Sequence, residues 1–247
     1  KTSSDNINAI VKVFHYTTKN KLFVEKKLWF KGMFKPNLQK MINNLCQIES
    51  RNELISDIVY NLWYQHDRKI LVLSGRNGQI DHLKMLKELL EAKIQQNDLV
   101  SNECNIYYYT GKTAQLQRSE AEKHADIIFA TYEMAHEGLD IPRLNTIVLA
   151  TPKTSIKQAI GRVMRQQHAH NFPLIVDIAD ELSAFPGQYN KRLKLYSQHH
   201  YIIHNIYAID AQIISKKQHL MKKYNCTLKD LEDESDYEPT MNFVLNK

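Results

Sequence analysis

Apolar runs and helical patterns alternate from about residue 68 to residue 197. Five short apolar runs predict buried strands, and these are RKILVLS (68–74), NIYYY (105–109), ADIIFAT (125–131), NTIVLAT (145–151) and FPLIVDI (172–178). Segments typical of helices accompany them at 79–94, 114–124, 155–166 and 187–197. This alternation predicts an α/β fold with a parallel sheet and helices on both faces, in which ligands bind at the carboxyl ends of the strands.

The two ends of the chain add further elements to this core. VKVFHY (11–16) predicts an entering strand, residues 22–30 are an ambiguous apolar stretch, and residues 38–64 predict two helices broken near Glu49. YIIHNIYAI (201–209) fits a strand or a helix, and 210–224 predicts a helix. Because there is neither an internal repeat nor a flexible linker, we expect one domain over residues 1–226 with decorated N- and C-terminal ends.

Charge is unevenly distributed along the 247 residues, whose net charge is +6. Residues 227–247 hold six acidic and two basic side chains, so residues 1–226 carry 31 basic and 21 acidic groups, a net +10. A basic body suggests a polyanionic partner, although a solvated lysine-rich surface explains the charge equally well. We expect the acidic C-terminal tail, 227–247, to be a solvated terminal segment.

Several classes of protein are disfavoured by composition. Three widely spaced cysteines without a CxxC pair argue against a disulfide framework and against zinc, and favour a reducing compartment, the cytoplasm, with the nucleus left open. The paired histidines at 168 and 170 and at 199 and 200 have no third ligand at a convincing spacing, so we expect no metal site. No apolar stretch is long enough for a membrane span, and the chain begins without Met, which indicates a piece of a longer protein.

The stretch TPKTSIKQAIGRVMR, residues 151–165, aligns functional side chains on one helical stripe. Gln158, Arg162 and Arg165 fall at positions i, i+4 and i+7, whereas Ile156 and Ile160 fall on the opposite side. Arginines suit phosphoryl transfer because their planar forks hold several phosphate oxygens. The alternative is that the arginines are merely solvated on an amphipathic helix.

Gly111-Lys112-Thr113 has the ending of a phosphate-binding loop but not its context. The glycine that such a loop needs five positions earlier is Ile106, inside a run of tyrosines that predicts a strand. We therefore reject a P-loop here. Tyr107, Tyr108 and Tyr109 could stack on bases, but strand alternation favours core packing.

Motifs along this core resemble those of superfamily 2 helicases and translocases. Residues 158–165, QAIGRVMR, are similar to motif VI, and Ala-Thr at 130–131 followed by Gly-Leu-Asp-Ile-Pro at 138–142 is similar to motif V. LVLSGR (71–76) falls where motif IV belongs, and YTGKT (109–113) falls where the family carries a Thr-Gly element that touches the nucleic-acid backbone. The resemblance covers about residues 68–180 and is to the second RecA-like domain.

The spacing is similar to that of DNA helicases of large cytoplasmic DNA viruses, of the poxvirus and asfarvirus type, and their phage relatives. The resemblance implies that Arg165 and Arg162 reach the γ-phosphate of ATP, with Arg165 the better arginine finger. It also implies two further sets of side chains. The nucleotide-binding set is Gln158, Gly138 and Asp140. The nucleic-acid set is Ser74, Arg76, Thr110, Gly111, Lys112 and Thr131.

The leading hypothesis is therefore half of an ATP-dependent helicase or translocase. Its first RecA-like domain would lie upstream and hold the P-loop and the Mg²⁺ ligands, so the 247 residues alone are expected to be inactive. Gln158 stands where the DEAD-box group has histidine, which favours DNA over RNA. The rival hypothesis is a non-catalytic nucleic-acid-binding module of the same fold. The oligomeric state is not predicted by the sequence.

Overall fold

The computed structural model describes residues 9–75, 81–96, 103–137, 139, 141–163, 172–216 and 218–219. The strands are β1 Ile10–Thr17, β2 Lys27–Phe30, β3 Met33–Pro36, β4 Ile70–Ser74, β5 Ile106–Tyr109, β6 Ile127–Thr131, β7 Thr146–Leu149, β8 Leu174–Asp180, β9 Ile202–Ile209 and β10 Gln212–Ile214. The helices are α1 Leu38–Leu45, α2 Glu49–Tyr64, α3 His82–Gln96, α4 Gln115–His124, α5 Tyr132–Glu137, α6 Lys157–Val163 and α7 Phe185–Gln198.

Eight of the described strands form one sheet in the order β10-β9-β1-β8-β7-β4-β6-β5. Seven of them run parallel, and β10 pairs antiparallel with β9. The five strands that the apolar runs predict are β4 to β8, each within a few residues of its predicted bounds. The α/β fold with a parallel sheet is therefore confirmed.

Helices cover both faces of this sheet, which explains why its strands are continuous apolar runs. On β4, Leu71 and Leu73 belong to one core, whereas Ile70 and Val72 belong to the other. Helices α4 to α7 pack on the first core, and α2 and α3 pack on the second. A strand buried on both faces has no polar side to alternate with its apolar one.

The N-terminal decoration is part of the same sheet. Strand β1 lies between β8 and β9, and pairs in parallel with both. The two predicted helices after it are α1 and α2, which are broken at residues 46–48, close to the expected Glu49. A third apolar cluster, built on Met41, Leu45, Ile48 and Phe185, joins this region to the start of α7.

Two segments that the pattern left ambiguous are strands, and one prediction is wrong. Residues 22–30 end in β2, which forms a separate two-stranded hairpin with β3, and residues 201–209 contain β9. The helix predicted over 210–224 is absent at its start, where residues 212–214 form β10. Asp210 adopts a positive φ of 53°, so the chain reverses there and pairs back on β9. The rest of that segment lies mostly outside the described residues.

Candidate nucleic-acid and nucleotide interface

Three of the predicted nucleic-acid residues lie at the carboxyl ends of neighbouring strands. Ser74 closes β4 and is in register with Thr131, which closes β6. Thr110 directly follows β5, whose Tyr109 is in register with Ala130 of β6. The sheet therefore brings Ser74, Thr131 and Thr110 side by side, at the edge where ligands of parallel α/β sheets bind.

The Gly111-Lys112-Thr113 triplet forms a closed turn rather than a phosphate cradle. The backbone N–H of Thr110 donates to Thr113 Oγ1 at 3.0 Å, and the N–H of Thr113 donates to the Thr110 carbonyl at 3.0 Å. Arg118 Nη2 also donates to the Thr110 carbonyl at 3.1 Å. Gly111 and Lys112 remain exposed at the tip of the turn. The geometry therefore agrees with the rejection of a P-loop, and it leaves Gly111 and Lys112 accessible to a ligand.

Lys112 also lines a cleft of about 460 Å³ between α3 and the start of α4. Lys84 and Lys87 of α3 line the same cleft, but acidic side chains accompany them: Lys84 pairs with Glu88, and Lys87 pairs with Glu91. This mixture of charges contrasts with the turn, where Lys112 is the only charged residue among positions 110–113.

The Ser74 side chain is fully buried and takes part in an internal chain of hydrogen bonds. Its hydroxyl lies 2.9 Å from His82 Nδ1, and His82 Nε2 lies 3.0 Å from Asn52 Oδ1. Asn52 Nδ2 donates to the Cys46 carbonyl at 2.8 Å, so its Oδ1 accepts from His82 and the Ser74 hydroxyl donates to Nδ1. Burial, followed by the charge of Arg51, lowers the pKa of His82 to about 3, so the ring is neutral.

The hydroxyl groups of Thr131 and Thr151 accept hydrogen bonds from backbone N–H groups of neighbouring turns. Thr131 Oγ1 accepts from the N–H of Met134 at 3.3 Å, which caps the first turn of α5. Thr151 Oγ1 accepts from the N–H of Gly75 at 2.9 Å, and the Tyr132 hydroxyl donates to the Thr151 carbonyl at 2.7 Å. These bonds connect the chain just after β4 to the loop that leads into α6.

The described part of helix α6 has a buried side and an exposed side. Ile156, just before it, and Ala159 and Ile160 within it are buried, whereas Gln158 is exposed. The backbone of Arg162 lies in α6, but its side chain lies outside the described part of the structure, as do Arg165, Arg76, Gly138 and Asp140.

The motif V segment and α6 share one core. Leu139 and Ile141, which flank Asp140 in sequence, are buried in the same apolar cluster as Ile156 and Ile160. Helix α5, which precedes Leu139 in the same motif V segment, also contacts α6.

A buried ion pair holds the loop before α6. Arg192 of α7 donates from Nε and Nη2 to the two oxygens of Asp177 on β8, both at 2.8 Å, and from Nη1 to the Lys153 carbonyl at 2.7 Å. The Tyr196 hydroxyl donates to Asp177 at 2.8 Å. Burial alone would lower the pKa of Arg192, but the Asp177 carboxylate raises it above its usual value.

Sequence reasoning missed these supporting residues because their partners lie on distant elements. His82 carried one signal: with Leu86 and Leu90 it continues the buried face of α3 at steps of four. A polar residue on an apolar face predicts a buried hydrogen bond, but not its partner. Arg192 and Asp177 carried no comparable signal.

Within the described ranges, no group of three or more His, Cys, Asp or Glu side chains is arranged to hold a metal ion. None of the helices in that same part of the chain is both long and apolar enough to cross a bilayer.

A parallel sheet covered by helices on both faces, with turns and a helix N-terminus gathered at its carboxyl edge, is the architecture of a RecA-like α/β domain. Residues 50–167 match the family described as the helicase conserved C-terminal domain. The resemblance to a helicase C-terminal domain that the motifs predict is therefore confirmed over residues 50–167.

Viral and phage proteins are among its relatives. The chain is 38% identical over 209 residues to L396 of Acanthamoeba polyphaga mimivirus, whose name describes an ATP-dependent RNA helicase. It is 28% identical over 184 residues to the ATP-dependent DNA helicase uvsW of phage T4. These alignments cover 83% and 66% of this chain but only 38% and 36% of the relatives. The chain thus spans little more than a third of their length.

The crystal structure of T4 UvsW has a similar fold. It superposes with a TM-score of 0.57 at 19% sequence identity, and the match covers 82% of this chain and 42% of that one.

Proposed function

We propose that the chain is the second RecA-like domain of an ATP-dependent nucleic-acid helicase or translocase and that it completes an ATPase site with a first RecA-like domain. The observation that carries the proposal is the shared core of α6 and the motif V segment. Ile156 and Ile160 are buried with Leu139 and Ile141, while Gln158 of the same helix is exposed.

On the nucleotide side, we assign Arg165 as the arginine finger and Arg162 as its companion. Gln158, Gly138 and Asp140 would hold the nucleotide. ATP supplies the phosphoryl group whose transfer to water releases free energy, and a guanidinium stabilises the charge that develops on it. The Mg²⁺ ligands are assigned to the first domain. The exposure of Gln158 on the same stripe of α6 supports this assignment.

On the nucleic-acid side, the exposed turn at Gly111 and Lys112 would contact the sugar-phosphate backbone. Its carbonyl and hydroxyl groups are fixed by Thr113 and Arg118, so the turn is rigid before a ligand arrives. Thr131 and Ser74 lie beside it, but both side chains are buried, and we assign them to hold the strand ends. We also assign Arg76 to contact the nucleic-acid backbone.

The proposed substrate is DNA. The residue that supports DNA is Gln158, which separates this chain from the DEAD-box group. The two relatives carry names that differ on this point, one an RNA helicase and one a DNA helicase. Coupled turnover would close the two domains and shift their backbone contacts along the strand.

The test is Arg165→Ala in the full-length protein. ATP turnover should fall by about a thousandfold, the scale expected when an arginine finger is removed, while nucleic-acid binding and thermal unfolding stay near normal. Arg165→Lys should restore little, because a point charge does not reproduce the planar fork. Lys157→Ala, which removes an exposed cation from the first turn of α6, is the matched control and should keep normal turnover.

The measurements are kcat with single-stranded DNA and with RNA as activators, and melting on the same preparations. A folded Arg165→Ala protein with unchanged kcat would refute the arginine-finger assignment. Absence of nucleic-acid-stimulated turnover in the unaltered full-length protein would favour the non-catalytic binding module instead.

A further inference from the structure

The hairpin of β2 and β3 exposes an unusual set of side chains. All eight of its strand residues are exposed, and it pairs with no strand of the main sheet. Five of the eight are large and apolar: Leu28, Trp29, Phe30, Met33 and Phe34. Trp29 is 63% exposed and Phe34 is 68% exposed. An apolar patch of this kind on a folded protein marks an interaction site.

The strand register places the aromatic side chains on both faces of the hairpin. Trp29 pairs directly with Phe34, and their rings meet edge to face with centroids 4.9 Å apart. Phe30 lies on the other face, with Lys31 Nζ 5.4 Å and Lys35 Nζ 5.0 Å from its ring centroid. Each face therefore offers an aromatic surface with a lysine within a few residues.

The hairpin is held in one conformation. The two residues of its turn, Lys31 and Gly32, both have positive φ, 49° and 78°, which matches the tight turns that suit hairpin twist. At its base, the N–H of Asn37 donates to the Lys26 carbonyl at 2.6 Å. Because an isolated hairpin is marginally stable, these constraints keep the aromatic rings presented rather than collapsed.

The segment before the hairpin is anchored to the body of the domain. The Phe23 ring meets Tyr16 of β1 edge to face at 5.9 Å, and it packs with the apolar cluster under α1. The Ser183 hydroxyl, beyond β8, donates to Glu25 at 2.6 Å. The hairpin thus projects from a rigid base that the sheet itself supports.

The charged residues in and around the hairpin are mostly positive. Residues 19–35 contain six lysines and one acidic residue, Glu25. That carboxylate already accepts from Ser183 and pairs with Lys27 at 3.1 Å. Aromatic rings surrounded by lysines are complementary to an unpaired nucleic-acid strand, whose bases stack on the rings while its phosphates meet the ammonium groups. A protein partner of similar apolar character would not require so many cations.

We propose that the hairpin of β2 and β3 is a binding surface for single-stranded nucleic acid, with Trp29 and Phe34 as base-stacking residues. Its position supports this. The chain leaves β1 at Thr17, and β1 runs parallel to β4 and β6, so the hairpin arises from the same sheet edge as Thr110 and Lys112. The proposal rests on the proposed function only in taking the ligand to be a nucleic acid.

The experiment measures fluorescence anisotropy of labelled oligothymidylate and oligouridylate with the full-length protein. Trp29→Ala/Phe34→Ala should weaken binding of both probes by about tenfold or more, because stacking on an aromatic ring contributes that much per base. Trp29→Phe should keep most of the affinity of the unaltered protein, because a phenylalanine ring also stacks on bases. Leu116→Ala and Phe172→Ala are matched controls, because both side chains are large, apolar and exposed elsewhere. Neither should change the affinity.

A second measurement follows the fluorescence of Trp29 itself. This signal is the tryptophan emission of the unaltered protein minus that of the Trp29→Ala variant. Trp63, the other tryptophan of these 247 residues, is 6% exposed. We expect the Trp29 signal to be quenched by iodide in the free protein and to be quenched by the oligonucleotide on binding. Shielding of Trp29 from iodide before any nucleic acid is added would mean that another part of the protein covers the hairpin, and would overturn the proposal.

The outcomes separate this inference from the proposed function. Unchanged affinity of a folded Trp29→Ala/Phe34→Ala protein, together with weaker binding by Lys112→Gln, would overturn the hairpin inference and leave the proposed function standing. If the unaltered full-length protein binds neither probe, both fail. Circular dichroism on each variant establishes that it is folded.

Discussion

His82 shows how a single buried side chain gives this domain a pH dependence. Its ring lies between Ser74 and Asn52 without exposure to solvent, and burial is the main cause of its low pKa of about 3. In the unfolded chain a histidine titrates near 6.5. The unfolded state therefore binds a proton as pH falls below 6.5, while the folded state does not until about 3.

Stability should decrease across that window, and His82→Gln should remove part of the decrease. Between pH 7 and pH 5, the histidine contributes a loss of about 2 kcal/mol in the free energy of unfolding. The variant is expected to be less stable at pH 7 but to lose about that much less on acidification. Urea unfolding at the two pH values gives the difference.

His199→Gln is the comparison, because it removes a histidine that is exposed at the end of α7. A His82→Gln protein with the same pH dependence as the unaltered one would contradict the assignment of a neutral buried ring.

Site residues were predictable to different degrees for physical reasons. Thr110 and Lys112 could be placed on a turn because the tyrosine run before them predicts a strand end. Burial of Ser74 could not be predicted, because its partner His82 lies on the next helix and Asn52 on an earlier one. A hydrogen bond between distant elements leaves no periodic trace in sequence.

At the scale of elements, one ion pair joins α2 to the carboxyl end of β8. Arg51 Nε and Nη2 donate to the two oxygens of Asp180 at 2.7 and 2.8 Å, and both side chains are fully buried. Burial alone would lower the pKa of Arg51, but the Asp180 carboxylate raises it. Removal of either partner leaves a buried charge without compensation.

Asp180→Leu should therefore lower the free energy of unfolding by about 3–5 kcal/mol, and Arg51→Met by a similar amount. The double variant Arg51→Met/Asp180→Leu should lose much less than the sum, because it leaves no buried charge. Urea unfolding of the four proteins gives the coupling energy. Glu88→Gln breaks the exposed pair with Lys84 and should cost less than about 1 kcal/mol. Additive losses at 51 and 180 would argue against a coupled pair.

Elements were predictable where their burial was uniform. Strands β4, β6, β7 and β8 are buried throughout, so an apolar run sufficed to find them. The hairpin of β2 and β3 was ambiguous because its apolar side chains face solvent and have no core to set a period. Strand β10 was mistaken for helix because only its pairing with β9 across the Asp210 turn makes the segment extended.

At the scale of the whole molecule, the 247 residues by themselves should hydrolyse ATP no faster than background. The one Gly-Lys-Thr triplet of the sequence is a closed turn, whereas phosphoryl transfer needs a phosphate cradle and Mg²⁺ ligands. The measurement is steady-state ATPase activity with and without single-stranded DNA. Sustained stimulation by DNA after removal of contaminating enzymes would overturn the assignment of this chain to half of an ATPase site.

The position of β1 bears on how this domain is made. Ile10 pairs with Leu174 on one side and with Ile202 on the other, so the first strand of the described chain lies between two of the last. During synthesis, β1 leaves the ribosome long before either neighbour exists, and its apolar side chains stay without their partner strands while residues 18–173 are made. Strands β4 to β7 of the segment 70–149 pair with one another, and of these only β7 also pairs with a later strand, β8, so this part of the sheet can assemble in that interval. Completion of the sheet then waits for β8 and β9, so until then β1 is an unpaired apolar strand of the kind that is prone to aggregation.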